Sequence, residues 1–114
     1  MIETRLGDFE EAVMLIVGIL GEDEAYAFQV SKSFEQRTGR AISIGAVHST
    51  LDRLENKGFV RSTLKNATSR RGDRRKRIFT ITALGKKVLK ESMEFKMDLW
   101  KQYPALAGNL TFSA

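Results

Sequence analysis

Cysteine is absent from this 114-residue chain, and histidine, proline and tryptophan occur once each. Without cysteine there is no disulfide framework and no thiolate chemistry, and the lone His48 leaves almost nothing from which to build a Cys/His zinc site. Long apolar runs are also missing. The longest, residues 12–20, follows Glu10 and Glu11, is too short to span a bilayer and lacks the positive flank of a signal peptide. It reads as a core helix, and the compartment as cytoplasmic. No nucleophile stands with a base, no carboxylates pair plausibly, and no glycine motif cradles a phosphate, so the expectation is a non-enzyme with no metal or cofactor. With 42% hydrophobic content and no low-complexity tract, one compact domain is expected, near the size where oligomerisation supplements the core.

What the chain does have is charge in one place. Between Arg61 and Arg77 stand eight Lys or Arg and one Asp, a net of +7, while the remainder carries 11 basic and 13 acidic residues, a net of −2. The formal +5 is therefore local. Its densest part, Arg70-Arg71-Gly72-Asp73-Arg74-Arg75-Lys76-Arg77, is a positive field beside a glycine, as a polyanion-binding loop requires.

Periodicity places the elements around it. Phe9, Ala12, Val13, Ile16 and Leu20 follow helical spacing from Asp8 to Leu20, with Met14, Leu15, Val17 and Ile19 filling the other faces, so this helix is expected to be buried all round and to stop at Gly21. A second helix runs from about Tyr26 to Thr38 and ends at Gly39, with Val30, Phe34 and either Ala27 or Phe28 inward; Tyr26 and Phe28 both read as core. The third is capped by Ser43 and closed by Gly58 after Lys57. Val47, Leu51, Leu54 and Gly58 form its inward stripe, leaving an arc of Gly45, Ser49, Asp52, Arg53 and Asn56 bordered by Ala46 and His48. The period then changes to two: Phe59 to Leu64 and Lys76 to Ile81 read as strands of a hairpin with a long basic tip. Thr82 caps a last helix to about Tyr103, before Pro104. That helix has two apolar stripes. Leu84, Val88, Phe95 and Leu99 can pack on their own domain, whereas Leu89, Met93, Met97 and Trp100 need a partner subunit, a ligand, or both.

The order helix, helix, helix, strand, basic loop, strand, helix is that of a winged helix-turn-helix, mainly α with a small β-hairpin. A helix entering the major groove needs small residues in its first turn, which Ser43, Gly45, Ala46 and Ser49 supply. Arg70, Arg71, Arg74, Arg75 and Lys76 of the wing then lie over the backbone or the adjacent minor groove. The bland alternatives are a wet helix face and a solvated charged loop. Asp52 more readily neutralises an arginine than reads cytosine, and His48 is a helix-border residue touching phosphate or packed.

The runs "ISIGAVHSTLDRLENKGFV" and "RRGDRRKRIFTITALGKKVL" closely resemble the PadR-like transcriptional regulators, over roughly residues 6 to 100. The resemblance implies a dimeric winged-helix repressor of the short class, which ends in a single C-terminal dimerisation helix. It departs from the family pattern at His48, where Tyr is usual, and at Asp73, which replaces a second wing glycine. In multidrug-sensing relatives a Trp on the last helix stacks on flat aromatic ligands, and Trp100 lies in a similar segment. The expectation is thus a winged helix over 1–82, a C-terminal dimerisation helix over 83–104 and a flexible tail over 105–114. It binds double-stranded DNA at a pseudo-palindromic operator as a homodimer without membrane contact. Ser43, Gly45, Ala46, His48, Ser49 and Arg53 read the groove. Leu89, Met93, Met97 and Trp100 form the dimer surface or the pocket of a small aromatic effector. The alternative is an RNA-binding or protein-interaction winged helix.

Overall fold

The computed structural model describes residues 6–65 and 75–104. Its elements are α1 (Asp8–Leu20), α2 (Ala27–Thr38), α3 (Ile44–Asn56), β1 (Val60–Lys65), β2 (Lys76–Ile81) and α4 (Ala83–Gln102). The helix α1 opens with Asp8, Glu10 and Glu11 at the positive end of its dipole. Gly39 stops α2 in the left-handed region, at φ 77°. Ser43 caps α3 by accepting from the Ala46 N–H at 3.0 Å.

The strands pair antiparallel from Val60 opposite Ile81 to Lys65 opposite Lys76. The hairpin is tied to the helices through its backbone: Phe79 N–H donates to the Ala25 carbonyl between α1 and α2 at 2.9 Å. Val13, Met14, Val17, Val30, Val47, Leu51, Leu54, Phe59, Val60 and Phe79 form the fully buried centre, where the three helices and the root of the hairpin meet. Phe9 and Phe34 add an edge-on contact at 5.3 Å between α1 and α2.

Four expectations about burial change. The helix α1 is not buried all round: Leu15 and Ile19, four residues apart, sit on an outer arc opposite Val13 and Val17, and Ile19 is 59% exposed. Phe28 is 55% exposed because Ala27, Val30 and Phe34 already occupy the inward stripe and Phe28 points about a third of a turn away. Tyr26 packs partly against the core. Gly58 leaves the inward stripe of α3, since the helix ends at Asn56 and Gly58, exposed at φ 84°, turns the chain into the hairpin. On α4 only the root is seated: Gly85 and Val88 are buried and Leu89 packs on the core, but Leu84, Leu99 and Phe95, the last 63% exposed, are not covered. A 20-residue helix is about 30 Å long.

Candidate nucleic-acid interface

The outward arc of α3 is as small as its sequence suggests. Ser43, Gly45, His48, Ser49, Asp52 and Asn56 are exposed, and Ala46 is half-buried. Gly45 has no conformational reason to be glycine: an added Cβ meets only the Ser43 hydroxyl, at 4.0 Å. A helical glycine weakens the helix by up to about 1 kcal/mol relative to alanine. Its smallness is useful only to something that approaches from outside.

Arg53 behaves differently from the rest of the predicted reading set. Its Nε donates to Glu10 Oε2 at 3.2 Å and its Nη2 to Thr50 Oγ1 at 3.3 Å, so the guanidinium leans back toward α1. Lys57 donates to both oxygens of the same carboxylate, at 3.2 and 3.1 Å, and Gly7 N–H donates to it at 2.9 Å. Burial raises the Glu10 carboxyl, but the Gly7 N–H, Lys57 and Arg53 outweigh it and hold the group below its ordinary value. Glu10 is thus a buried anion joining the first turn of α1 to the last turn of α3. Sequence inspection assigned it nothing.

The next residue reaches the opposite way. Glu11, also buried, accepts from Ser92 and Lys96 on α4, and the bond to Glu11 holds the Lys96 ammonium above its ordinary value. These groups line a cleft of about 540 Å³ between the start of α1 and α4.

Of the predicted wing contacts, Arg70, Arg71 and Arg74 lie outside the described residues. Arg75 is exposed. Lys76 lies 4.3 Å from the Tyr26 ring centre and donates to its hydroxyl at 3.2 Å, which braces the hairpin against the start of α2. Lys65, opposite it, reaches Asp23 at 3.4 Å. Asp52 pairs with an arginine as expected. The partner is Arg77 of β2, at 3.2 Å.

On α4, Leu89 and Met93 are half-buried whereas Met97 and Trp100 are exposed, so the predicted stripe does not close on its own chain. Lys96, Leu99, Trp100 and Tyr103 line a shallow hollow of about 250 Å³. Among the described residues no group of three His, Cys, Asp or Glu could hold a metal ion, and no described helix is long and apolar enough to cross a membrane.

Residues 16–91, about two-thirds of the chain, match the family model of the transcriptional regulator PadR-like family. The chain belongs to that family. A PadR family transcriptional regulator from Eggerthella lenta superposes with a TM-score of 0.63 over 85% of this chain and 81% of its own, at 25% identity. RosR from H. salinarum gives 0.67 over 88% and 83%, at 20% identity. Bacillus subtilis PadR, solved in complex with operator DNA, gives 0.59 over 75% of this chain and 47% of its own, at 20% identity. No match is found among curated protein sequences.

The fold is the PadR-like winged helix, and the structure says why one stretch of the resemblance is kept together. In "TALG", Thr82 Oγ1 accepts from Gly85 N–H at 2.9 Å and donates to the Gly58 carbonyl at 2.7 Å, while Thr82 N–H donates to Phe59 at 3.0 Å. Gly85 lies against that strand so closely that a Cβ would fall 2.0 Å from the Phe59 carbonyl oxygen. This is the joint between hairpin and last helix, an architectural role. His48 is exposed on α3. Asp73 lies outside the described residues.

Proposed function

We propose that this PadR-like regulator is a cytoplasmic repressor that binds a pseudo-palindromic DNA operator as a homodimer. In this reading 1–82 is the reading head and 83–104 the dimerising helix, with α3 of each subunit in successive major grooves. One observation carries it: the exposed small-residue arc of α3 stands beside the strands β1 and β2, joined to them through Asp52 and Arg77, and the sequence from 61 to 77 that contains those strands carries a net charge of +7. Ser43, Gly45, Ala46, His48 and Ser49 approach base edges, and Arg53, held by Glu10, is better placed for phosphate at the helix border. Arg70, Arg71, Arg74 and Arg75 clamp the backbone, while Lys76 braces β2 against the start of α2. The operator complex of Bacillus subtilis PadR supports DNA as the ligand class.

Leu89, Met93, Met97 and Trp100 are the surface through which two chains meet, and a small aromatic effector at that surface would change the separation of the reading heads. A mismatch with the half-site spacing, about one helical turn, then releases the operator.

The test is the salt dependence of binding to duplex DNA. Four wing contacts give a log-log slope of roughly −3.6, at about −0.9 per phosphate, and Arg74→Ala with Arg75→Ala removes about two of them. An unchanged slope in the double variant rules out the wing as the phosphate clamp. Tighter binding to duplex RNA in parallel titrations rules out DNA as the ligand.

A further inference from the structure

Arg77 is counted by sequence with the polyanion-binding cations, but its side chain is already engaged on three sides. Nε donates to Ser62 Oγ at 3.0 Å, Nη1 to Asp52 Oδ1 at 3.2 Å and Nη2 to Glu55 Oε1 at 2.5 Å. The guanidinium carbon lies 4.9 Å from the ring centre of Phe79, two residues along the same strand. Glu55 completes the link by accepting from Ser62 N–H at 3.1 Å and from the Ser62 hydroxyl at 2.9 Å. One guanidinium therefore joins both strands of the hairpin to two carboxylates on α3.

The chemistry favours arginine specifically. A planar fork with donors at fixed angles can hold three acceptors at once, and its face can lie on a ring; an ammonium offers a single point of charge. The seat is also electrostatically lopsided. Asp52 and Glu55 stand on the helix proposed to enter the groove, where each unneutralised carboxylate would repel phosphate. A cation so committed has little to offer a phosphate, while its removal frees two anions beside one and loosens the angle between strand and helix.

Resting on the DNA-binding reading above, we propose that Arg77 is a positioning residue of the interface: it fixes the wing to the reading helix and screens Asp52 and Glu55, and it governs affinity without touching DNA. The experiment measures duplex affinity against salt for the full chain, using one mixed-sequence DNA duplex. Arg77→Gln is expected to weaken binding about tenfold at fixed salt, the scale of one lost charge-assisted hydrogen bond. Its salt slope should stay within half a contact of the wild-type value, where loss of a phosphate partner would flatten it by about 0.9.

Two further variants separate positioning from contact. Arg77→Lys keeps the charge and its screening but loses the three-way fork, so a positioning role leaves it several-fold weaker than wild type and stronger than Arg77→Gln, whereas a phosphate contact leaves it near wild type. Adding Asp52→Asn and Glu55→Gln to Arg77→Gln should restore affinity to within about threefold of a protein carrying those two changes alone, because the anions Arg77 screens are gone. A slope flattened by one full contact, a near-wild-type Lys variant, or no restoration in the triple variant overturns the proposal. If the wild type binds no duplex at all, the DNA reading fails and takes this inference with it. If the wild type binds and only these variants disagree, the DNA reading stands and Arg77 is an ordinary wing cation.

Discussion

Gly45 and Gly85 show how one residue type can serve opposite masters. Gly85 is glycine because the fold leaves no space: its Cβ would sit 2.0 Å from the oxygen and 2.9 Å from the carbon of the Phe59 carbonyl, both backbone atoms that move only if α4 leaves the hairpin. Gly85→Ala should therefore cost about 3 kcal/mol, lowering the melting temperature by roughly 15 °C for a domain of this size. Gly45 stands in open space on α3. Gly45→Ala should leave stability unchanged or raise it by about 0.5 kcal/mol while weakening DNA binding. Thermal melts of the two variants decide the matter. Comparable losses in both would mean that Gly45 too is held for the fold.

Between elements, the chain relies on ionic ties that span long stretches of sequence. Glu10 couples α1 to α3 through Arg53 and Lys57, and because its folded pKa lies below the ordinary value near 4.3, the stability it contributes is complete above that pH and fades as pH falls through the folded value. Glu10→Gln should cost about 1–2 kcal/mol at pH 7 and progressively less in acid, as the wild-type carboxyl takes up its own proton. Urea midpoints of both proteins at pH 7 and pH 3 test this, and a gap that is the same at both would exclude Glu10 as the titrating link. Such ties explain what could be foreseen. Ser43, Gly39 and Thr82 mark helix ends by local chemistry, so element limits agreed to within a residue or two, and the exposed arc of α3 followed from its period. Glu10 with Arg53, or Arg77 with Asp52 and Glu55, leaves no periodic trace, because the partners stand 43, 25 and 22 residues apart. The misplaced apolar residues have a related cause. Leu15, Ile19 and Phe28 show that a hydrophobic residue on a helix reports a capacity for burial, while the neighbouring elements decide whether it is used.

At the scale of the whole molecule, the exposed apolar surface among the described residues is concentrated on α4 beyond its root and on the outer arc of α1. Phe95, Met97, Leu99 and Trp100 within six residues form more than the scattered exposure of an ordinary monomer surface. The wild-type protein should sediment as a dimer, and Leu99→Glu should yield a folded monomer whose duplex affinity falls more than tenfold, since two linked heads become one. A wild-type monomer in sedimentation equilibrium would remove the basis for a palindromic operator.

The division of charge between hairpin and helix also bears on how such a molecule would find its site. Across Ile44–Asn56 the helix carries Asp52, Glu55 and Arg53, a net of −1, while 61–77 carries +7. On a random stretch of duplex the hairpins would hold the protein close while the helices gain nothing from entering the groove. The encounter complex would therefore glide and hop rather than lodge, with residence set by ionic strength. Only where base edges answer the small polar arc would the helix settle, so search speed and final grip are assigned to different parts of the chain.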